Sequence, residues 1–481
     1  MNRVWVPPSP ADARPFAPRA VFEAGLRNHH IANTAYPIAH TLTWAPYRVD
    51  AASAAAVAGR AWSGIDDLCL YVHIPFCETR CSFCEYAVVD REGLPAAAGY
   101  VDDLLREFDL YREVFGPEPR LLHGFDIGGG TPSVLPADEV ARIVEKARSM
   151  FRFMPGSDIS IETTPKIAAA RPDKLAAFRR IGIDRISMGL QVVELDLLKA
   201  LNRSGNAADC HRRAVENVRA ADFRRLNLDL MYGFAGQDLE GWRATLRHAI
   251  GLDPEYITLY RMRYKLTRIA HHARHVGLGK VRAMTALACD MLADAGYAAT
   301  PGKTTYSRIA GDAGTSAYLT RRVVEAMPYL GLGLGAQSFT HTTISYNTGA
   351  ASKNLAAYRR AIARGSLPLQ DLYDLPARQM MGKMCAVSFY FGEIDTGAFA
   401  SKFGVALAHL FRGEIDFAIG EGLMDYTART LRLTRAGSRS VNGVIALFYA
   451  PSIQQYLLES ATDSRTATGD YRPQEMTSAH V

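Results

Sequence analysis

Between Leu70 and Tyr260, short apolar runs alternate with amphipathic stretches, and this alternation limits the possible fold more than any other feature of the chain. The runs are Leu70–Ile74, Gly124–Gly128, Asp158–Glu162, Arg185–Gly189, Leu226–Met231 and Tyr256–Tyr260. Helix candidates separate them: Tyr100–Tyr111, Pro136–Phe151, Pro172–Ile181, Glu194–Leu201 followed by Ala208–Ala220, and a stretch near Leu239–Ile250. In the first of these, Val101, Leu104, Leu105 and Phe108 share one face. Regular strand–helix alternation implies a parallel sheet with right-handed crossovers. Six units predict an α/β fold, a partial (β/α)6 TIM-like barrel, whose chemistry would gather at the C-terminal ends of the strands.

The rest of the chain divides around that barrel. Residues 1–65 read as an N-terminal extension, made irregular at its start by Pro7, Pro8, Pro10, Pro15 and Pro18, with an alanine-rich helix candidate at Ala51–Arg60. The barrel is expected over 66–300. Residues 301–370 extend it and include Pro328–Phe339, a returning strand with a glycine turn. A helical region follows over 371–460. The tail, 461–481, is rich in Ser, Thr and Asp and is expected to be disordered.

Composition narrows the class. Of 481 residues, 48% are apolar and 22% charged, which suits a globular chain. No run of about eighteen apolar residues is present to span a bilayer, and the first residues carry no apolar signal core. Cys69, Cys210, Cys289 and Cys385 are scattered and give no disulfide framework. A cytoplasmic protein with no membrane partner is the expectation. The net charge of +6 is spread in arginine pairs such as Arg179-Arg180 and Arg359-Arg360. Solvated helix faces explain such pairs, and no stripe for nucleic acid is visible. A small-molecule substrate with carboxylates or phosphates is compatible.

Three further cysteines, Cys77, Cys81 and Cys84, stand in a C-x3-C-x2-C array directly after the first strand. Thiolates are soft ligands for zinc, copper(I) or iron–sulfur clusters. No fourth Cys or His follows at zinc-finger spacing. A cluster that usually takes four cysteines would keep one iron open here. Gly128-Gly129-Gly130-Thr131 follows the second strand, where glycines let the backbone approach a ligand. Glu162 closes the third strand, Gln191 the fourth, Arg203 lies just beyond, and Asp229 sits inside the apolar fifth, where burial is costly unless it is paired or ligand-bound. His271, His272 and His275 form an HHxxH cluster without an acidic partner, which reads as a solvated basic helix.

The cysteine array is similar to the signature of the radical S-adenosylmethionine (SAM) superfamily. Tyr71-Val72-His73-Ile74-Pro75-Phe76-Cys77 resembles the oxygen-independent coproporphyrinogen III oxidase-like family. Asn33–Ala39 resembles a segment preceding the barrel in those oxidases. Gly422–Leu433 with Val441–Phe448 resembles the family's C-terminal helical, winged-helix-like domain. The resemblance implies a [4Fe–4S] cluster on Cys77, Cys81 and Cys84 that reduces SAM to methionine and a 5′-deoxyadenosyl radical, with a flavodoxin- or ferredoxin-type electron donor. It implies SAM contacts at Gly129, Gly130, Thr131, Glu162, Gln191, Arg203 and Asp229, with Tyr71 and Phe83 flanking the cluster and the adenosyl group. Members of the family can bind two SAM molecules, and Arg263 and Gln337 fall at the positions lining the second pocket.

Two departures bear on the reaction. Coproporphyrinogen oxidases carry small or apolar residues where this chain has Arg263 and Gln337, and a fourth cysteine where it has Tyr86. These departures favour the family's class C methyltransferase or cyclopropanase branch, in which a methyl or methylene from a second SAM joins an unsaturated carbon of a natural product. Oxidative decarboxylation of coproporphyrinogen III is the alternative, and a non-catalytic haem chaperone is the third reading.

Overall fold

The computed structural model describes residues 16–28, 31, 36–89, 97–265 and 267–462. The proline-rich start, Asn33–Thr34–Ala35 and the tail from residue 463 lie outside the described residues. The first strand, β1 (Asp67–Ile74), is buried on both faces, with Leu68, Leu70, Val72 and Ile74 all at 0% exposure. A parallel strand covered on both faces reads as such a near-continuous apolar run.

The next strands follow in chain order: β2 (Arg120–Gly129), the short β3 (Phe151–Phe153), β4 (Ile159–Thr163), β5 (Arg185–Gln191), β6 (Arg225–Tyr232) and β7 (Tyr256–Arg261). Apart from β3, which pairs with the side of β2, each pairs parallel to its predecessor, from β1 through β7. All six expected strands are present, along with the crossover helices. Local chemistry sets the helix ends. Pro172 opens Pro172–Ile181, and Gly182, at φ 93°, closes it. The Asp238 carboxylate accepts from the Gly241 N–H at 2.8 Å to start Leu239–Gly251.

The sheet continues past both ends of this parallel core. β8 (Thr305–Ser307) adds antiparallel to β7. β9 (Tyr329–Leu332) lies parallel to β1 on its free side. β10 (Gln337–Phe339), β11 (Thr343–Asn347) and β12 (Leu369–Asp374) follow as an antiparallel meander. The returning strand and glycine turn expected at Pro328–Phe339 are thus β9, the turn and β10.

From Ala377 the chain is mainly helical. It includes a three-stranded antiparallel sheet of β13 (Glu393–Asp395), β15 (Thr430–Leu433) and β14 (Met424–Tyr426). The helix Pro18–Arg27 packs into this region: a Cβ on Gly25 would stand 2.8 Å from the Ala446 Cβ. The side-chain carbonyl of Gln379 accepts from the Tyr36 hydroxyl and the Trp44 indole, both at 3.0 Å.

One buried carboxylate ties the barrel to the β9–β11 segment. Glu107, on the helix Ala97–Phe115, is 0% exposed. It accepts from the Tyr358 hydroxyl (2.6 Å), the Asn347 amide (2.7 Å) and the Gly333 N–H (2.8 Å). Burial raises its pKa from 4.5 to about 7, against those three hydrogen bonds. Glu107→Ala should lower the free energy of unfolding by about 3 kcal/mol or more, because three buried donors lose their acceptor; denaturant melts read this. The carboxyl binds its proton more tightly in the folded chain. Its contribution to stability is therefore greatest below pH 4.5 and is lost as pH rises through about 7. The deficit of Glu107→Gln relative to the unsubstituted chain should accordingly shrink between about pH 5 and about pH 8.

Candidate metal centre

The loop that carries Cys77, Cys81 and Cys84 hangs from several separate segments. Phe76, at 0% exposure, anchors it edge-on against Tyr100, with centroids 5.3 Å apart. The Cys77 N–H donates to the Val89 carbonyl at 3.1 Å. The Ser82 N–H donates to the Leu201 carbonyl at 3.1 Å, and the Ser82 carbonyl accepts from the Arg268 N–H at 3.1 Å. The Asn202 amide donates to the Arg80 carbonyl at 3.0 Å. Cys77 is buried, whereas Cys81 and Cys84 are half-buried.

Two side chains reach the sulfurs. The Thr131 hydroxyl points to the Cys77 Sγ at 3.6 Å, and an Arg203 N–H donates to the Cys81 Sγ at 3.2 Å. Burial pushes the Cys77 thiol up to about 12, and charge on Cys81 or Cys84 adds to the rise. A bound metal reverses that balance, because a coordinating thiol is deprotonated outright. Among the described residues, no three His, Cys, Asp or Glu side chains are gathered to hold a single ion. The three exposed or half-exposed histidines, His271, His272 and His275, lie on the short turn Ala270–His275 and form no such group.

The glycine turn lies flat against this loop. The Gly130 N–H donates to the Ile74 carbonyl and the Thr131 N–H to the Phe76 carbonyl, both at 2.8 Å. Gly129 has φ +116°, and a Cβ there would meet the His73 ring at 2.6 Å. A Cβ on Gly130 would meet the Phe76 carbonyl at 2.6 Å. The Gly129 N–H donates to Glu162 Oε2 at 3.1 Å.

Glu162 is open to the barrel interior, yet surrounded by protein. Burial, then the charge on Asp229, raises it from 4.5 to about 7. Asp229 is raised to about 6, chiefly by burial. It is not unpaired: Asn227 donates to it at 2.8 Å and Ser187 at 3.0 Å. Gln191 sits at φ 69° beside an irregularity in the β5–β6 pairing. Its buried Oε1 has no partner, nor does the buried Nε of Arg203.

The structure therefore brings Cys77 to Thr131, Cys81 to Arg203, and Gly129 to Glu162. Asp229 acts electrostatically on Glu162, and Glu162 on Tyr71. Phe83 lies to the side, 5.9 Å from Phe234. Arg263 is at the rim, 3.5 Å from Glu85. Gln337 accepts from the Tyr329 hydroxyl.

Other residues of the interior escaped the motif reading: Ser187, Asn227 and Thr258, hydrogen-bonded in series, and Tyr260. Their signal was present. Polar or small residues recur at every second position in Ser187–Gly189, Asn227–Asp229 and Thr258–Tyr260, which puts them on one face of β5, β6 and β7.

Comparison with known proteins agrees with this geometry. Residues 71–249 match the model of the radical SAM superfamily and are a radical SAM domain. Homologues include haem chaperones and coproporphyrinogen oxidases. The Haemophilus influenzae protein named heme chaperone HemW is 34% identical over 197 residues, covering 40% of this chain and 51% of that protein. The chain spans about half the length of such first curated relatives. The oxygen-independent coproporphyrinogen III oxidase of Pseudomonas aeruginosa is 26% identical over 415 residues, covering 81% of this chain and 87% of the oxidase. Among solved structures, Escherichia coli coproporphyrinogen III oxidase (HemN) has the same fold, with a TM-score of 0.69 at 21% identity over 82% of this chain and 93% of that one.

A radical SAM domain implies a [4Fe–4S] cluster and SAM, and the residues present fit both. Three thiols stand within one loop, close-packed glycines lie beside it, and the buried Gln191 Oε1 and Arg203 Nε have no hydrogen-bond partner in the protein. Gly129→Ala should weaken SAM binding more than about tenfold while leaving iron content unchanged, because φ +116° and the His73 ring both oppose a side chain. Equilibrium dialysis of the reconstituted protein with labelled SAM, alongside an iron assay, measures this.

Proposed function

We propose that this chain is a radical SAM enzyme acting on a carboxylate-bearing small molecule by oxidative decarboxylation of the coproporphyrinogen oxidase type. The supporting observation is that similarity to the Pseudomonas aeruginosa oxidase runs over 81% of the chain, far beyond the radical SAM domain. Decarboxylation of this type removes one hydrogen atom β to a propionate carboxylate. Carbon dioxide and one electron then leave, the electron going to an external acceptor, and a vinyl group remains.

When bound, a [4Fe–4S] cluster reduces SAM, which yields methionine and the 5′-deoxyadenosyl radical that takes the hydrogen. The chain's residues position these groups and shield them. Cys77, Cys81 and Cys84 would hold the cluster, with Arg203 beside Cys81 offsetting negative charge. Gly129, Gly130 and Thr131, whose N–H groups are engaged within the protein, would offer backbone carbonyls to SAM, Glu162 and Asp229 would face its positive charge, and Gln191 would accept from it. A flavodoxin- or ferredoxin-type donor would reach the cluster from outside, where Lys353 and Arg80 lie near Cys84.

Two other readings have support of their own. Methyl or methylene transfer, the first reading from sequence, rests on Tyr86, Arg263 and Gln337; it now ranks second because the relatives named above are oxidases and chaperones. A haem chaperone is supported by the 34% identity to the Haemophilus influenzae protein, and a spectral titration with haem tests it.

Anaerobic turnover with SAM carrying a deuterated methyl group separates the first two. Unlabelled 5′-deoxyadenosine with release of carbon dioxide is the expected result; deuterium in the 5′-deoxyadenosine would instead favour methyl transfer. A second expectation concerns pH. A cationic ligand favours ionised Glu162, so SAM affinity should fall as pH drops through about 7. Glu162→Gln should bind SAM more weakly and flatten that dependence, as dialysis between about pH 6 and about pH 8 would show.

A further inference from the structure

A half-buried arginine and a buried lysine stand without carboxylate partners where the C-terminal helical region meets the barrel. Arg322 lies on the helix Ala317–Val324. Its guanidinium carbon is 4.7 Å from the Tyr329 ring centre and 5.9 Å from that of Tyr318. One of its N–H groups donates to the Tyr318 hydroxyl at 3.3 Å. Tyr318 in turn stacks on Tyr71 at 5.8 Å, which ties the arginine to the barrel interior. On the other side, the Tyr329 hydroxyl donates to Gln337.

Lys383, on the helix Ala377–Ser388, is 4% exposed. Together with Arg322, Tyr329, Phe339 and Met384 it lines a small cavity with room for about one water molecule. Its amino group is 5.7 Å from the Phe339 ring centre. Burial, then the charge on Arg322, lowers its pKa from 10.5 to about 7. Among the described residues, neither cation forms an ion pair, although the neighbouring Arg321 pairs with Glu325.

Buried charges are ordinarily paired or ligand-bound. A guanidinium carries five N–H donors in a fork that matches a carboxylate. The hydrogen bond to Tyr318 uses one of them. Arg322 is only half-buried, which leaves room for the others to meet a ligand. The tyrosine rings on either side fix the plane of the fork.

We propose that Arg322 is a carboxylate-binding residue at the seam between the barrel and the C-terminal region, with Lys383 as the second positive charge behind it. Assigning the carboxylate to the substrate rests on the decarboxylase reading above. The same chemistry would suit the carboxylate of a second SAM, and the two sources are separable by experiment.

The probes are coproporphyrin III, its uncharged methyl ester and labelled SAM, titrated anaerobically against reconstituted enzyme. If the substrate supplies the carboxylate, the unsubstituted chain binds the free acid at least about tenfold tighter than the ester, and Arg322→Gln removes that difference without altering the SAM bound per chain. If a second SAM supplies it, Arg322→Gln loses one bound SAM and leaves porphyrin affinity unchanged. Unchanged porphyrin and SAM binding in Arg322→Gln overturns the proposal. Arg322→Lys keeps the charge but not the fork, and serves if the glutamine variant does not fold; a forked contact requires it to bind the acid more weakly than the unsubstituted chain. Failure of the decarboxylase reading shows separately, as absence of carbon dioxide in turnover while the Arg322 dependence of binding persists.

Discussion

The site depends on a backbone seam. Beyond the ends of β1 and β2, the Gly130 and Thr131 N–H groups donate to the Ile74 and Phe76 carbonyls, both at 2.8 Å. The parallel pairing thus runs on from the strands into the cysteine loop. Nothing larger than hydrogen fits in that seam. A Cβ on Gly128 would meet Glu162 at 2.8 Å, one on Gly129 the His73 ring at 2.6 Å, and one on Gly130 the Phe76 carbonyl at 2.6 Å. The glycines serve two ends at once. They let the second strand's turn hold the cysteine loop, and they leave backbone groups uncovered on the side facing the interior. Thr131, next in the chain, is placed by the same seam to reach Cys77.

The segments outside the parallel core hold this arrangement from behind. β9 pairs with the free side of β1, so the strand leading to the cysteines has neighbours on both edges. Glu107 joins its helix to Gly333, Asn347 and Tyr358, segments distant in sequence. Gln379 does the same for the N-terminal segment: one carbonyl accepts from Tyr36 and Trp44, and the amide donates to Ser452 at 2.7 Å. Each of these is a buried polar group with its partners supplied from other elements. Such groups reward one arrangement of the elements and penalise alternatives.

What could be read from sequence followed from local rules. The Leu70–Ile74 run lies within β1, and Pro172–Ile181 ends where its proline and the following glycine require. The cysteine array and the glycine turn carry their meaning within a few residues. Harder to read was whatever depends on convergence. Arg322 is one half of a further arginine pair, Arg321-Arg322, of the kind that reads as a solvated face. The first arginine is indeed exposed and pairs with Glu325, while the second turns inward between two tyrosines. Asp229 drew attention as a costly buried acid, but its partners Ser187 and Asn227 became visible only when β5 and β6 were paired. The choice among reactions has the same origin. The three cysteines stand within one loop, whereas Tyr86, Tyr260 and Arg322 come from three separate segments and are brought near one another only by the fold.

The charges within the barrel are also sorted by side. On the β4–β6 side, burial and the charge on Asp229 raise the proton affinity of Glu162, which makes that wall a poor place for an anion and a favourable one for a cation. On the side of β9 and the C-terminal helices, Arg322 and Lys383 stand together with no acid between them. Tyr71 lies between the two sides, with Glu162 among its electrostatic neighbours and Tyr318 stacked on its ring. Like charges thus stand together on each wall. A cationic sulfonium beside the acids and an anionic carboxylate beside the arginine would relieve both walls at once. Each ligand would also draw the other across the interior, through attraction strengthened by the low dielectric of an enclosed site. The reacting partners would then be oriented by the field of the barrel before any contact specific to the substrate is made.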